Sequence, residues 1–445
     1  IGSDKSSNKR MLGLILAVII ACVMTMGSWY LYSTVSTLGK IFGFTQYEYY
    51  DVIVLHDSDY NEIEDISGKT VNTSKATVKT YDEAIGKLKT VVDVKLKENS
   101  DIVETGTKLV DENGETHDSI IFISDGNYGM ICDEIQGFKK KTKVLYRVKV
   151  ETKSDDTASS VNVTEDSFNI YVSGIDVWGE IEQVSRSDVN MIDTVNPKTR
   201  QILLTSIPRD AYVELHSFGQ MDKLTHSGVY GIDETLLTVE DWLGVHSDFY
   251  VRANFSMLVR LVAAVGCVDV YSDYAFKSSI SECEYVKGWN HLTGREALYF
   301  ARERKSFVDM DQQRVKNQQK VVKAIISKAT KSEVMLLNYT DILDAVTGYM
   351  QTNISNKNLS ALAKMQLKDM KTDWTINSIS IRGTMDKQGT YSMGFGRPLD
   401  VCIMDQDSVD RAVSLINAVM YPVDDKVVEI KDDKSEHGLI KKNDQ

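Results

Sequence analysis

The hydrophobic positions are distributed most unevenly at the start of the chain. No charged residue occurs from Met11 to Leu38, and Met11 to Tyr32 is rich in Leu, Ile, Val, Ala and Met. A run of this length can cross a hydrocarbon core about 30 Å thick. We therefore predict a tail over residues 1–10 and a transmembrane anchor over residues 11–35. A cleaved signal peptide and a buried helix of a water-soluble domain are the alternatives, although a signal peptide normally has only about 7–15 apolar residues.

The residues around this run predict its orientation. Lys5, Lys9 and Arg10 precede it, and Trp29 and Tyr30 suit the aromatic belt at a membrane surface. Because positive charge is retained on the cytoplasmic side, we expect the N-terminus in the cytoplasm and the chain after residue 40 outside. The expected location is the cell membrane, with a single pass and extracellular C-terminal domains.

Residues 45–151 alternate between strand-like and helix-like patterns. Residues 51–55 and 119–123 are short apolar runs typical of strands, and residues 80–88 have helical spacing. This alternation predicts a small α/β domain. Residues 63–71 resemble the opening of solute-binding-protein half domains, so ligand sensing and a structural accessory role both stay open for this domain.

A second domain is predicted over residues 165–422, after a polar linker at residues 153–164. Asn196 and Pro197 form the turn of a predicted hairpin. Strands followed by helices on their faces predict a three-layer α/β or α+β domain. The charged residues 423–445 are expected to form a frayed tail. The predicted strands cover residues 168–172, 188–195 and 200–206, and the predicted helices cover residues 235–243, 255–265, 295–300 and 314–329.

Composition and cysteine usage argue against several classes of function. The 445 residues are 42% hydrophobic and 26% charged, which is enough for two cores, and the formal net charge of −13 repels nucleic acids. The five cysteines include no CxxC pair and have no histidines at zinc spacing. Cys267 and Cys283 are either ordinary thiols or partners in a disulfide that closes a short loop.

Arginines are concentrated at the ends of predicted elements, and the second domain contains no GxSxG, HExxH or phosphate-loop pattern. Arg209 follows a predicted strand, and Arg314 and Gln318 share one helix face. Arg302 and Arg304 are two residues apart, so in an extended segment both side chains point the same way. Several guanidinium groups in one pocket would hold a pyrophosphate, whereas the alternative for each alone is a surface ion pair.

Aspartates accompany these arginines. Asp176 ends one predicted strand and Asp188 begins the next. Mg²⁺ is commonly bound by one or two carboxylates together with water and substrate phosphate, so both are candidate ligands. Asp210 and Asp311 are candidates to orient or activate groups at the site. The alternative for each aspartate is a turn cap or an ion pair with a neighbouring arginine.

Several short segments that contain the residues above, taken in order from about Phe168 to Arg397, resemble the LytR-CpsA-Psr family. A single segment would be a weak signal, but the ordered set is specific. The segments are Gly174-Ile175-Asp176, Arg186-Ser187-Asp188, Ser206-Ile207-Pro208-Arg209-Asp210, Asp222-Lys223-Leu224-Thr225, Thr238-Val239-Glu240, Leu292-Thr293-Gly294-Arg295-Glu296-Ala297-Leu298, Ala301-Arg302-Glu303-Arg304-Lys305, Asp311, Arg314 and Asn317-Gln318-Gln319.

The resemblance implies an α-β-α sandwich that binds a polyprenyl-pyrophosphate glycan outside the cell. It also implies transfer of the glycopolymer, such as a teichoic acid or a capsular polysaccharide, to peptidoglycan. The domain at residues 45–151 is similar to the accessory domain of capsule-associated members. The implied activity is that of a magnesium-dependent phosphotransferase.

The resemblance also assigns roles to individual residues. Asp176 and Asp188 would bind Mg²⁺, and Asn317 stands where many members have another Arg. The choice of general base between Asp188 and Asp210 stays open. The implied catalytic residues are Arg209, Asp210, Arg302 and Arg304, and the implied pyrophosphate ligands are Arg186, Arg209, Lys223, Arg302, Arg304, Arg314 and Gln318.

Three other functions compete with the transferase. A polyprenyl-phosphate-binding sensor would bind the lipid without turnover, and a pyrophosphatase would cleave it without using peptidoglycan as acceptor. A transcription regulator would use its arginines on DNA, but the acidic chain and the predicted extracellular position argue against that.

Overall fold

The computed structural model describes residues 46–431, apart from 75–79, 153–158, 180, 182–183, 309 and 370–371. The tail and the transmembrane anchor predicted over residues 1–10 and 11–35 lie outside these ranges and stay predictions. Within the described ranges, no helix combines the length and the apolar character needed to cross a membrane.

The first part of the chain forms a mixed five-stranded sheet in the order β3-β2-β4-β1-β5. The predicted strands at residues 51–55 and 119–123 overlap β1 and β4, and the predicted helix at residues 80–88 overlaps α1. The strands are β1 (Gln46–Leu55), β2 (Thr70–Ser74), β3 (Lys95–Asn99), β4 (Ile121–Ser124) and β5 (Thr142–Thr152), and the helices are α1 (Tyr81–Val91), α2 (Ile102–Thr107), α3 (Asp125–Glu134) and α4 (Phe138–Lys141).

The second part of the chain is built on a six-stranded sheet in the order β16-β11-β6-β7-β8-β17. The predicted hairpin is present, since β7 and β8 pair antiparallel and the Asn196 carboxamide oxygen accepts hydrogen bonds from the Lys198 and Thr199 amides. The strands are β6 (Phe168–Ile175), β7 (Val189–Asn196), β8 (Gln201–Ile207), β11 (Phe249–Asn254), β16 (Met350–Thr352) and β17 (Thr375–Ser380).

The remaining strands pair as four two-stranded ribbons around this sheet. The ribbons are β9 (Tyr212–Leu215) with β10 (Gln220–Lys223), β12 (Val268–Ser272) with β15 (Gly288–Leu292), β13 (Phe276–Lys277) with β14 (Glu284–Tyr285), and β18 (Gly383–Thr390) with β19 (Gly394–Met404).

Helices cover both faces of the sheet, as the alternating burial of its strands requires. Leu203 packs with α6 and α12 on one face, and Leu204 packs with α9 and α11 on the other. This is the α-β-α arrangement predicted from the sequence. The helices are α5 (Leu224–Ser227), α6 (Ile232–Leu243), α7 (Phe255–Ala264), α8 (Gly294–Arg302), α9 (Met310–Ala329), α10 (Ser332–Val346), α11 (Asn356–Lys368) and α12 (Gln406–Met420).

Three sequence predictions need correction or resolution. Arg302 is the last residue of α8 and does not share an extended segment with Arg304, because α8 continues two residues beyond its predicted end at residue 300. Cys267 and Cys283 are free thiols.

The first part of the predicted charged tail is ordered, up to residue 431. The Val428 amide donates to Gln201, and the Ile430 carbonyl accepts from Asn377. Ile430 is buried in the core that faces α12. Residues 426–431 therefore pack on β8 and β17, because two apolar side chains separated by one residue can share one buried face.

One carboxyl group lies in the apolar layer between the sheet and α9. Asp193 of β7 pairs with Ile170 of β6 and with Leu204 of β8, so all three side chains share one face. The residue is 8% exposed, and its Oδ1 atom has no hydrogen-bond partner among the described residues. Burial raises the pKa of Asp193 to about 7.

This carboxyl group predicts a pH-dependent stability. Between about pH 4 and pH 7 the unfolded chain releases the Asp193 proton while the folded protein keeps it, so the folded state loses stability as the pH rises. The free energy of unfolding of Asp193→Asn should therefore increase relative to that of the wild-type protein as the pH rises. The increase between pH 4 and pH 8 should reach up to about 4 kcal/mol.

Chemical denaturation of both proteins across this pH range measures the effect. The matched control is Asp400→Asn, at a carboxylate that is largely exposed. A constant difference between Asp193→Asn and the wild-type protein from pH 4 to pH 8 would contradict a protonated Asp193 in the folded state.

Candidate active site

A cavity of about 830 Å³ opens at the carboxyl ends of β6, β8 and β11. These three strands run in the same direction, so the residues that follow them meet at one edge of the sheet. The cavity has a charged mouth at this edge and continues as an apolar slot between the sheet and α7 to α9. The slot is lined by Ile170, Val172, Val251, Ala253, Leu258, Leu261, Val321, Val322, Ile325 and Ile326.

The structure brings the predicted site residues together at the charged mouth. They come from strand ends, from the loop before β7 and from α8 and α9, and their side chains line one wall or another of the same cavity. The residues at the mouth are Asp176, Arg186, Asp188, Arg209, Asp210, Lys223, Arg302, Arg304, Arg314 and Gln318.

Arg209 is the centre of an ion-pair network on the β8 side. Its Nη1 atom lies 2.9 Å from Asp188 Oδ1, and its Nε atom lies 3.6 Å from Asp210 Oδ2. Lys223 Nζ lies 3.2 Å from the other oxygen of Asp210. Burial alone would lower the pKa of Arg209, but Asp188 and Asp210 raise it. The guanidinium group is therefore charged and fixed in place before any ligand arrives.

A second network holds Arg314 of α9 together with Arg304, which lies between α8 and α9. Arg304 Nη1 and Arg314 Nη2 lie 3.6 Å and 3.3 Å from Asp311 Oδ1. Burial would raise the pKa of Asp311, but Arg314, Arg209 and Arg304 together lower it. Asp311 forms these ion pairs from outside the lining of the cavity, and the orienting role predicted for it stays a prediction.

Two buried guanidinium nitrogens make no hydrogen bond with a described residue, although one of them, Arg209 Nε, faces the Asp210 carboxylate at 3.6 Å. The Nε atoms of Arg209 and Arg314 make no hydrogen bond with any residue that the structure describes. Burial and the nearby charge of Arg209 both lower the pKa of Arg314. A buried donor without a hydrogen bond destabilises the folded protein, and two neighbouring positive charges repel each other. An anion bound at the mouth would accept hydrogen bonds from both arginines and offset their repulsion.

Asp176 and Asp188 occupy the same wall of the mouth. Burial raises the pKa of Asp176, and the charge of Asp188 raises it further against the effect of Arg302. In the part of the chain that the structure describes, no group of three or more metal-ligating side chains is found. Two carboxylates fit Mg²⁺, which commonly takes its remaining ligands from water and substrate phosphate.

Sequence reasoning missed two contributions to the mouth. His226 lines the cavity and pairs with Asp222, and the i, i+4 spacing of these two residues on the chain was the available signal. Met130 and Glu134 of α3 also line it, although they belong to the first domain. No local pattern identifies that contact, because it depends on how the two domains pack.

The contact between the domains is close and specific. A Cβ atom on Gly126, at the start of α3, would lie 3.0 Å from the Val229 side chain of the second domain. Val229 and Met393 pack in one cluster with Met130. The start of α3 is held in turn by Arg147, which lies 3.0 Å from Asp125 and 2.6 Å from Asp51 of β1.

A sequence model described as the LytR_cpsA_psr family matches residues 132–403. The polyisoprenyl-teichoic acid–peptidoglycan teichoic acid transferase TagU of Bacillus mycoides (strain KBAB4) is 33% identical over 232 residues, which cover 51% of this chain and 75% of that protein. The protein of the same name from Enterococcus faecalis (strain ATCC 700802 / V583) is 33% identical over 217 residues, or 48% of this chain and 70% of that protein.

The fold has matches among solved structures. The crystal structure of protein gbs0355 from Streptococcus agalactiae aligns with a TM-score of 0.50 and 26% identity, over 61% of this chain and 93% of that chain. The family match covers more than half of the chain, and it includes the whole charged mouth described above. This protein therefore belongs to the LytR-CpsA-Psr family.

Proposed function

We propose that this protein transfers an anionic glycopolymer from a polyprenyl-pyrophosphate carrier to peptidoglycan. The observation that carries the proposal is the direct connection between an apolar slot and a cationic mouth, in which two buried guanidinium nitrogens make no hydrogen bond with a described residue. A ligand that satisfies both parts has an anionic head and a hydrocarbon tail. The two TagU relatives are named as transferases that connect a polyisoprenyl-linked teichoic acid with peptidoglycan, which supports the same chemistry here.

The glycopolymer is a teichoic acid or a capsular polysaccharide, and the reaction is a phosphoryl transfer. In the proposed orientation, the pyrophosphate lies among Arg209, Arg304 and Arg314, and the polyprenyl chain enters the slot beside Val322 and Ala253. An acceptor hydroxyl of peptidoglycan attacks the sugar-proximal phosphorus, and polyprenyl phosphate leaves. The sugar chain points away from the slot, toward the open end of the mouth.

Catalysis rests on positioning and on charge. Arg209 and Arg314 are held by buried carboxylates before the substrate binds, so little reorganisation is needed when negative charge develops on the phosphoryl oxygens. The slot fixes the lipid and the arginines fix the pyrophosphate, which orients the phosphorus toward the acceptor. Asp176 and Asp188 would hold Mg²⁺, which when bound neutralises charge on the pyrophosphate.

We also propose that the reaction takes place at the outer face of the cell membrane. The anchor predicted over residues 11–35 would keep the cavity close to the lipid carrier. Protease accessibility of the C-terminal domains in intact cells tests this location, and a protected C-terminus would contradict it.

Replacing Arg209→Ala or Arg304→Ala should lower kcat for glycan transfer by about 10²- to 10³-fold, because each change removes a preorganised positive charge from the mouth. The measurement is transfer from a polyprenyl-pyrophosphate glycan to peptidoglycan fragments by the detergent-solubilised full chain. Arg295→Ala is the matched control, since Arg295 is an exposed arginine of α8 outside the cavity. Equal loss in the control, or none in either site variant, would argue against an arginine-based mechanism.

Removing divalent cations should abolish transfer, and added Mg²⁺ should restore it. Asp176→Asn should raise the Mg²⁺ concentration needed for half-maximal activity by about tenfold or more, since one of two carboxylate ligands is lost. Asp400→Asn serves as the control because Asp400 is exposed and lies outside the cavity. Full activity in a chelator would show that the reaction needs no divalent cation.

Filling the slot should block binding of the lipid. Ala253→Phe places a large side chain among the slot residues, whereas Ala263→Phe places the same side chain on the exposed face of α7. We expect the first change to weaken binding of polyprenyl phosphate by about tenfold or more, as the chain loses buried apolar contact. Binding of a labelled polyprenyl phosphate by fluorescence polarisation measures this, and equal affinities would place the lipid elsewhere.

A further inference from the structure

A histidine in the wall of the cavity has no role in the mechanism described so far. His226 lies on the short helix α5 and is 5% exposed. Its Nδ1 atom lies 2.7 Å from Asp222 Oδ1, and its ring lines the cavity together with the phosphate-binding residues. Since Nδ1 is occupied by Asp222, Nε2 is the ring nitrogen available to a group in the cavity.

Asp222 is held in its charged form. It is fully buried, and its carboxylate accepts hydrogen bonds from the Lys223 and Ser392 amides at 2.7 Å and from the Ser392 hydroxyl. Burial would raise the pKa of Asp222, but His226 and the bonds from Ser392 lower it. An ionised carboxylate can only accept a hydrogen bond, so the Nδ1 atom of His226 keeps its proton and donates to Asp222. In the neutral ring, Nε2 therefore carries the free lone pair.

The helix that carries His226 is fixed to the phosphate-binding strand ends. The Thr225 amide donates to the Arg209 carbonyl at 2.8 Å, and the Thr225 hydroxyl donates to Asp188 Oδ1 at 3.3 Å. A Cβ atom on Gly228 would lie 2.5 Å from the Ser187 amide nitrogen, so only glycine permits this approach to the loop before β7. His226 is therefore positioned with the residues that surround the pyrophosphate.

The two aspartates considered earlier as bases are already engaged. Asp188 accepts from Arg209 and from Thr225, and it is also a proposed metal ligand. Asp210 lies between Lys223 at 3.2 Å and Arg209 at 3.6 Å. The oxygens of both carboxylates therefore already face donors and cations, whereas Asp222 engages only the Nδ1 atom of His226.

We propose that His226, oriented by Asp222, is the general base for the acceptor hydroxyl, an inference that rests on the proposed function. The acceptor oxygen forms a bond to the sugar-proximal phosphorus while its proton passes to Nε2. The bond between that phosphorus and the bridging oxygen breaks, and its electron pair leaves on polyprenyl phosphate. The charged and titratable groups that share the mouth with His226 are Glu134 of α3, Asp176, Arg186, Asp188, Arg209, Asp210, Lys223, Arg302, Arg304, Lys305 and Arg314.

The test compares the full chain with His226→Gln, which keeps a polar side chain of similar reach but removes the base. The matched control is His291→Gln. His291 also pairs with an aspartate at 2.7 Å through Nδ1, but it lies on the exposed ribbon of β12 and β15 outside this cavity. The readouts are kcat and its pH profile with peptidoglycan fragments as acceptor, affinity for the polyprenyl-pyrophosphate donor, and the thermal unfolding midpoint.

For His226→Gln we expect kcat to fall by about 10²- to 10⁴-fold, with donor affinity and the thermal midpoint close to those of the wild-type protein. The acid limb of the kcat profile, where protonation of the base stops turnover, should disappear from the residual activity. His291→Gln should match the wild-type protein in every readout.

Two results would overturn the inference, and they are distinguishable. In the first, the His226→Gln variant turns over at the wild-type rate and its pH profile keeps the acid limb. This result would show that His226 is not the base, and it would not affect the proposed transferase function. Donor binding by the wild-type protein with no release of polyprenyl phosphate, with peptidoglycan fragments or with water as acceptor, would remove the proposed function and this inference with it. Asp222→Asn tests the orientation of His226 by Asp222 separately from folding. We expect this change to lower kcat while the affinity for the donor is retained.

Discussion

Repulsion among buried guanidinium groups is the constraint around which the second domain is organised. The charge of Arg209 lowers the pKa of Arg314, and Asp188, Asp210 and Asp311 compensate for the positive charge of both. These carboxylates come from a loop, a strand end and a helix. The fold must therefore hold β7, β8 and α9 in fixed positions relative to one another before the two charged arginines can lie close together. The compensation is incomplete, since neither Nε atom makes a hydrogen bond with a described residue, and a bound anion would complete it.

The apolar slot follows from the same sheet. The residues of β6 and β11 alternate, so Val172 and Val251 face α9 while Tyr171 and Tyr250 face the opposite helical layer. A small residue leaves room between the sheet and the helices, since Ala253 lines the slot. A cavity that is charged at the strand ends and apolar below them is thus a consequence of one sheet with helices on both faces.

Much of this architecture could be predicted from local patterns. Hydrophobic periodicity located the strands and helices, and the turn at Asn196 located the β7–β8 hairpin, because both signals depend on neighbouring residues. The charged residues of the mouth were identified by type and position at element ends, although their roles stay predictions. The extended segment at Arg302 was wrong because α8 continues two residues beyond Phe300, where the buried Phe300 and Ala301 side chains pack its last turn into the core. Nothing local indicated that Val428 and Ile430 pack against the sheet.

What the sequence could not predict depends on pairs that are distant along the chain. The carboxylate of Asp222 is fixed by Ser392, 170 residues away, so the orientation of His226 is a property of the assembled domain. The same holds for Met130 and Glu134, which reach the mouth only because α3 packs on Val229 through Gly126. A domain that contributes side chains to the wall of the cavity alters the space and the charge at the mouth, so the shape of the site depends on both domains.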